Sequence, residues 1–320
     1  MLLGSYSGEM KRPFVDADNI ARATLFPMPL ALIIRRLCEG SRCTASALKL
    51  FYLLVFISWN EIANIGVYRP LAYDSATLKG AVGRNRMTNK ELSKALRCLT
   101  ECLFALPDPD EPHETTEAPL LDWHHVEDDR VFWAFSDPVR TWCGRPGSVY
   151  AELDLRVAAA LSNVAGLRLY EIAAALQKRD RPNHTVRTEA LRGLLEVADD
   201  EYLSMSDFTG KLLRRAIKSI NAHAPFTLDH APRTPYRHRF ADAHVLSVTP
   251  RSRDAQQPEI TAVPSALKQI RREDLSYVPL PSSDVFANFS RRPAAMPLPS
   301  THYPLSHALS AEEDDSAFSE

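Results

Sequence analysis

Residues 206–221 have the sequence SDFTGKLLRRAIKSIN, which is the pattern of an amphipathic helix. On a helical wheel of about 100° per residue, its apolar and basic side chains fall on opposite sides. The apolar side holds Leu212, Leu213, Ala216, Ile217 and Ile220, and the basic side holds Lys211, Arg214, Arg215 and Lys218. Ser206 or Asp207 is in position to cap the N-terminus. The pattern predicts a helix with a buried face and an opposite row of cations.

Basic residues are concentrated around this helix. From Leu203 to Phe240 there are seven Lys or Arg and two Asp, a net charge of +5 in a chain whose formal net charge is −2. The hairpin predicted after the helix contributes Arg233, Arg237 and Arg239. A local basic surface of this kind is what binding to phosphate groups requires, whatever the total charge. A solvated charged face is the alternative, but no acidic residue follows the first turn of the helix to pair with the cations.

The order of predicted elements repeats along the chain. Helical patterns at 29–60 and 88–103 precede strand patterns at 120–126, 131–135 and 148–153, with a loop, a short strand and a turn at 61–87 and a loop at 107–119. Further helices are predicted at 167–178, 188–196 and 206–221, followed by a hairpin with strands at 226–230 and 239–248. This is the element order of a winged helix, and it occurs twice. We expect an α+β, mainly α, fold of two tandem winged-helix domains at 21–158 and 159–248, after a flexible N-terminus at 1–20.

A second basic helix is predicted in the first domain. Thr88 and Glu91 have capping-box spacing, and leucines follow at helical period from Leu92 onward. The opposite face carries Lys90, Lys94 and Arg97, and Arg84 and Arg86 precede the helix. Contact with DNA and simple exposure to solvent are both open for this face.

The chain changes character after Thr249. Prolines recur from Pro250 to Pro304, and the end is acidic from Glu312 to Asp315. Few apolar runs are present to repay the entropy of ordering this segment. We expect 249–320 to be a mostly disordered tail, with a short helix possible at 265–273, and to be dispensable for DNA binding.

Composition argues against membrane and secreted classes. The most apolar window, Leu48 to Ile57, has the length of a buried helix and not of a membrane span. No signal peptide is recognisable, and five cysteines are an odd number for a disulfide scaffold. We therefore expect a cytoplasmic protein with reduced thiols and no membrane association.

Motifs for catalysis or cofactors are also missing from the sequence. Cys98 and Cys102, with His113, His124 and His125 downstream, lack zinc-finger spacing, and core thiols are the better interpretation. The His–apolar–His pair of rolling-circle nicking enzymes is absent, and Gly210-Lys211 does not belong to a phosphate-binding loop. We interpret Asp199-Asp200-Glu201 as an exposed turn. The sequence predicts no catalytic residue, no cofactor and no metal, and the protein is not expected to be an enzyme.

An ordered set of residues resembles the RepA/RepB superfamily, the replication initiators of iteron-bearing plasmids. The resemblance begins with Leu167-Arg168-Leu169-Tyr170-Glu171 and continues through Leu191-Arg192-Gly193-Leu194-Leu195, Tyr202 and Ser206-Asp207-Phe208. It ends with the run from Leu212 to Asn221 and covers about eighty residues. The first domain resembles the family only in its element order. The sequence departs from the family at Ser219, where an acidic residue is common, and in its long tail.

The resemblance implies a function in plasmid DNA replication. The second winged helix would bind the major groove of repeated double-stranded origin sequences (iterons) through Lys211 to Lys218. The first domain would contact flanking DNA or form a dimer, in a monomer–dimer equilibrium. The resemblance also implies recruitment of the host initiator and the replicative helicase, and such initiators can repress their own promoters. A winged-helix transcriptional regulator is the alternative, and a nicking or priming enzyme is a third class.

Overall fold

The first part of the computed structural model consists of helices and short strands that alternate along the chain. The structure describes residues 24–62, 70–82, 87–108, 110–111, 114–127, 129–145, 149–177, 183–198, 200–233, 243–251, 270 and 275–277. The elements up to residue 154 are β1 (Leu25–Pro29), α1 (Leu30–Ile33), β2 (Arg36–Leu37), α2 (Ala45–Ile62), β3 (Leu71–Asp74), α3 (Ser75–Ala81), α4 (Asn89–Glu101), β4 (Phe104–Pro107), β5 (Thr115–Ala118), β6 (Leu121–Glu127), β7 (Arg130–Phe135), α5 (Asp137–Gly144) and β8 (Tyr150–Asp154).

The second part begins with helices and ends with a three-stranded sheet. Its elements are α6 (Leu155–Ala160), α7 (Val164–Gln177), β9 (Asn183–Arg187), α8 (Thr188–Leu194), α9 (Met205–Asp207), a π-helical turn (Phe208–Leu213), α10 (Arg214–His223), β10 (Phe226–Arg233) and β11 (Ala243–Pro250). A last short strand, β12 (Ser276–Tyr277), follows. The predicted mixture of helices and strands is therefore confirmed. The predicted boundary at 158 lies within α6, and the division into domains stays a prediction.

Helix α2 forms the centre of the core. Its residues from Leu48 to Ile57 are at most 6% exposed, apart from Lys49, which is half-buried. By length and composition α2 could cross a membrane, but 67% of it is buried within the protein. It packs against α4, α6 and α7. The apolar window found in the sequence is thus the core helix that its length predicted.

The residues that the structure describes form four antiparallel sheets around this core. They have the strand orders β1-β8, β2-β4-β5, β12-β3-β7-β6 and β10-β11-β9. The predicted hairpin at 120–135 is confirmed, with Glu127 opposite Arg130 at its turn. In the second part, β11 pairs on one side with the predicted strand β10 and on the other with β9, a strand that was not predicted.

Several local predictions were wrong. The helical pattern at 29–60 is interrupted by β2, because the first helix is a single turn. The short strand predicted within 61–87 is present as β3, but the segment also contains α3, which begins where the Asp74 side chain accepts a hydrogen bond from the Thr77 amide. The loop predicted at 107–119 contains β5, paired with β4.

The predicted disordered tail also requires correction where the structure describes it. Strand β11 extends to Pro250, one residue past the expected start of the tail. Ser276 and Tyr277 pair with Ala72 and Leu71 at the edge of the sheet that contains β3. Most of 249–320, the possible helix at 265–273 apart from Ile270, and the N-terminus at 1–20 lie outside the described residues. The tail therefore contributes one short strand to the first part of the fold.

A buried network of charges joins the two parts. Glu171 on α7 accepts hydrogen bonds from Arg35, at 3.1 Å, and from Arg168, and all three side chains are 0% exposed. Arg168 also donates to the backbone oxygens of Ile33 and Arg35 at 2.9 and 2.6 Å. Its Nε lies 3.1 Å from the carboxylate of Glu196. Buried charges require this degree of pairing. The network therefore fixes α7 against the segment that follows α1.

Candidate nucleic-acid interface

The predicted basic helix is present as a continuous helical segment from Met205 to His223. It begins at Ser204, whose side chain accepts a hydrogen bond from the Asp207 amide at 3.0 Å. The prediction that Ser206 or Asp207 caps the helix was therefore wrong by two residues or more. Between Phe208 and Leu213 the segment makes a π-helical turn. π-helical turns are rare in proteins, and those that occur are often found at functional sites.

One face of this segment is anchored in the core, as predicted. Phe208, Leu213 and Ile220 are 0% exposed, and Ala216 is 1% exposed. Leu212 is also buried, and Ile217 is half-buried. The four cations opposite, Lys211, Arg214, Arg215 and Lys218, are all exposed. The structure therefore brings the predicted cations together on a single solvent-facing surface, which we call the basic face.

Lys211 differs from the other members of the basic face. Its Nζ lies 2.7 Å from Oδ1 of Asp207, one turn earlier. The ammonium holds the pKa of the Asp207 carboxyl below its usual range. Among the residues that the structure describes, no carboxylate forms an ion pair with Arg214, Arg215 or Lys218. Three of the four cations thus have no ion-pair partner within the described part of the chain.

The strands after the helix hold it in place. Asn221 donates from its side-chain amide to the Leu228 carbonyl at 2.9 Å, and its side-chain oxygen accepts from the Leu228 amide at 2.8 Å. Arg251, just after β11, donates to the Asn221 carbonyl. Side-chain amides that satisfy both backbone groups of a neighbouring strand fix its position closely. The basic face and the hairpin therefore form one rigid unit.

A hydrogen-bonded pair of histidines lies beneath this unit. His230 Nε2 and His244 Nδ1 are 2.7 Å apart, and His244 Nε2 is 3.0 Å from the hydroxyl of Thr188. The His244 ring also contacts Phe208, with 5.7 Å between ring centroids. Burial, and then the neighbouring His230, lower the pKa of His244 to about 4. Burial and then Arg214 lower the pKa of His230. Both rings are therefore neutral at pH 7 and link α8, the hairpin and the basic helix.

Of the three cations predicted on the hairpin, Arg233 lies within the described residues. Arg233 is exposed at the end of β10, where it pairs with Ala243. Arg237 and Arg239 lie outside the described residues. Arg233 is thus placed at the start of the connection between the two strands, on the same rigid unit as the basic helix.

The second predicted basic helix is α4. The capping box between Thr88 and Glu91 is present, with both reciprocal hydrogen bonds. Lys90, Lys94 and Arg97 are exposed. Arg97 lies 4.0 Å from Glu101, and both side chains are about two-thirds exposed. The predicted apolar stripe from Leu92 to Leu99 is buried, but the helix ends at Glu101, before Leu103. Arg84 and Arg86 lie outside the described residues.

The residues considered for metal binding do not form a metal site in the part of the chain that the structure describes. No group of three or more His, Cys, Asp or Glu there is arranged to hold a metal ion. His124 lies 3.3 Å from the Thr100 hydroxyl, and His125 stacks on Trp123. His113 and Asp199 lie outside the described ranges.

Comparison with known proteins bears on the rigid unit of helix and hairpin. Residues 187–239 match the family model described as initiator Rep protein, WH2. The matched segment begins at the end of β9 and contains the whole basic face. A solved structure, the Pi initiator protein in complex with iteron DNA, aligns with 72% of this chain and 99% of its own, with a TM-score of 0.51 and 12% identity. No curated protein sequence matches the chain. The resemblance to plasmid replication initiators is confirmed.

Proposed function

We propose that this protein initiates plasmid replication by binding repeated origin sequences as double-stranded DNA. One observation carries the proposal: the segment that matches the WH2 domain of initiator Rep proteins contains four exposed cations on a helix whose opposite face packs in the core. The Pi initiator, which has a similar fold at low sequence identity, was crystallised with iteron DNA. A transcriptional regulator is not favoured, since the matching family is one of initiators.

The proposal assigns a role to each part of the chain. The second part is a winged helix that inserts the basic face into the major groove, with the β10–β11 hairpin as its wing, including Arg233, Arg237 and Arg239. The first part is a second winged helix, which contacts flanking DNA through α4 or forms a dimer. We expect a concentration-dependent monomer–dimer equilibrium, with the monomer favoured on repeated DNA, which sedimentation across a concentration series would measure.

The remaining steps need no chemistry by this chain. Bound to the origin, the protein would recruit the host initiator and helicase in the cytoplasm, and it could repress its own promoter. These steps require a positioned surface and no catalytic group, cofactor or metal. We therefore propose a binding protein and not an enzyme.

Arginine and lysine are expected to play different parts on the basic face. Arginine forms paired hydrogen bonds with O6 and N7 of guanine, whereas lysine acts more as a point charge. We assign base contacts to Arg214 or Arg215 and phosphate contacts to Lys211 and Lys218. Because Lys211 must exchange Asp207 for a phosphate, its net contribution should be smaller than that of Lys218.

The test compares alanine variants at the four positions on iteron DNA and on scrambled duplex across a salt series. Loss of a base-contacting Arg should cost about 1–3 kcal/mol on the specific site and much less on scrambled DNA. Lys218→Ala should weaken both complexes similarly and lower the salt slope by about one. Arg130→Ala, which removes a cation from the β6–β7 hairpin, is the control. If Arg214→Ala and Arg215→Ala both leave the specific-to-scrambled ratio unchanged, this helix does not read the sequence.

A further inference from the structure

Three cysteine thiols from two separate parts of the sequence meet beside α4. The sulfur atom of Cys98 lies 3.7 Å from that of Cys43 and 3.5 Å from that of Cys102. Cys43 precedes α2, Cys98 lies within α4, and Cys102 forms the C-terminal cap of α4. The sulfur atoms of Cys98 and Cys102 also lie 3.5 and 3.1 Å from the Arg42 carbonyl oxygen. The sequence showed only the i, i+4 pair, so Cys43 is a member that the fold alone supplies.

The surroundings of Cys98 favour its thiolate. Hydrogen bonding with Cys43, and then with the Thr44 backbone and Cys102, lowers the pKa of Cys98 to about 6 against the opposing effect of burial. The pKa of Cys43 is raised, first by its hydrogen bond with Cys98 and then by burial. Burial raises the pKa of Cys102 to about 12. The hydrogen bonds within the cluster therefore favour negative charge on Cys98 and protons on its two neighbours.

This arrangement has the two requirements of a reactive cysteine pair. The thiolate is the nucleophilic form of cysteine, and Cys98 is only partly buried, so that a small oxidant has access to it. The second thiol, that of Cys43, lies 3.7 Å from the Cys98 sulfur and is close enough to react with an oxidised form of Cys98. Cys143, by contrast, is 2% exposed, and burial raises its pKa.

We propose that Cys98 and Cys43 form a peroxide-sensitive thiol pair that closes to a disulfide. The Cys98 thiolate attacks one oxygen of hydrogen peroxide, the O–O bond breaks, and hydroxide leaves, which gives a sulfenic acid. The sulfur of Cys43 then attacks the sulfur of Cys98 as the Cys43 thiol gives up its proton. The S–O bond breaks, and the hydroxyl leaves with that proton as water. Two electrons pass from the two sulfurs to the peroxide.

Cys43 is the partner and not Cys102, because of backbone geometry. A disulfide requires its two Cβ atoms to lie about 3.5–4.5 Å apart. Residues four apart on a helix have Cβ atoms about 5–6 Å apart, so a bond between Cys98 and Cys102 would require the last turn of α4 to unwind. Cys43 lies outside regular secondary structure, between β2 and α2, so its backbone can move toward Cys98 without breaking a turn of α4.

The pair is placed where a cross-link would affect the proposed function. It would tie the segment before α2 to α4, which carries Lys90, Lys94 and Arg97. Arg35 and Glu196, members of the buried charge network between the two parts, act electrostatically on Cys43. Oxidation would therefore alter the charge balance next to that junction and stiffen the base of α4.

The experiment treats the reduced full-length protein with hydrogen peroxide and maps its thiols by differential alkylation and mass spectrometry. We expect wild type and Cys102→Ser to yield a Cys43–Cys98 cross-linked peptide, lighter by two hydrogens than the reduced pair. Cys43→Ser should instead accumulate a sulfenic acid on Cys98 that dimedone traps. Cys98→Ser should form no cross-link, and Cys143→Ser, the control, should behave like wild type.

A second measurement does not depend on any variant. At pH 7, iodoacetamide should modify Cys98 in the native protein at least about tenfold faster than Cys38, because only Cys98 is largely ionised. The rate should rise with a midpoint near pH 6, the pKa of Cys98. Equal rates at both cysteines, or a peroxide product that joins Cys98 to Cys102, would overturn the proposal.

Discussion

Replacement of Glu171 by Gln should destabilise the whole protein, because this carboxylate balances two buried guanidinium groups. Arg35 and Arg168 both donate to it, and none of the three side chains is exposed. Glu171→Gln keeps the size and one acceptor oxygen, but among the residues that the structure describes it leaves Glu196 as the single carboxylate that opposes the two cations. Breaking a buried ion pair by removal of one partner costs about 3–5 kcal/mol. That loss should lower the melting temperature by at least about 6 °C.

Glu101→Gln is the matched control, with the same chemical change at an exposed ion pair. Its partner Arg97 is 4.0 Å away, and both side chains are about two-thirds exposed. Such pairs contribute at most about 1 kcal/mol. Urea unfolding of wild type and the two variants, monitored by tryptophan fluorescence and circular dichroism, would separate a buried network from a surface pair.

A double variant tests whether charge balance is the cause. Arg35→Met combined with Glu171→Gln leaves Arg168 and Glu196 as a balanced pair, 3.1 Å apart. It should therefore lose less stability than the two single variants together, by about 1 kcal/mol or more. The network does not hold the two parts together as argued if the free energy of unfolding of Glu171→Gln lies within 1 kcal/mol of that of wild type. The same holds if the losses of the two single variants simply add in the double variant.

Two further predictions concern the second part of the fold and the tail. The depressed pKa of His244 keeps it neutral when folded, so stability should fall as pH drops from 6.5 to 4, where only the unfolded chain is protonated. The free energy of unfolding should fall by up to about 3 kcal/mol over this range in wild type and by less in His244→Gln. If the urea midpoints of the two proteins change in parallel with pH, the prediction is wrong. Truncation after Tyr277 should leave DNA affinity within a few-fold. Truncation after Arg251 should also preserve affinity but lower the melting temperature, because β12 is lost, and equal melting temperatures would count against a structural role for β12.

The basic helix was predictable because its signal is local. Residues 206–221 carry the apolar period and the cations in one stretch, and the structure places Arg214 and Lys218 on the exposed face as predicted. The exact start at Ser204 was not predictable, because Ser204, Ser206 and Asp207 can all cap a helix, and the local pattern carries no signal for the π-helical turn.

Other features depend on contacts between distant residues and left no local signal. Strand β9 is short and polar, with Asn183, His184 and Thr185, and it exists because β11 offers it a partner. Arg168 and Glu171, spaced i, i+3, look like a surface pair in the sequence. They are buried because Arg35, 133 residues away from Arg168, completes the network.

The same junction connects the features that matter most for the proposed function. Helix α7 contacts α10 and β11 on one side and α1 and α2 on the other, so it spans from the basic face to the core of the first part. Arg168 and Glu171 on α7 lock that helix to the segment after α1, and Glu196 extends the network toward the thiols beside α4. The two basic surfaces are therefore connected through a charged and tightly packed joint and not through a flexible linker. DNA that contacts both surfaces must match the spacing that this joint imposes. A change in the charge balance of the joint would therefore affect the positions of both surfaces.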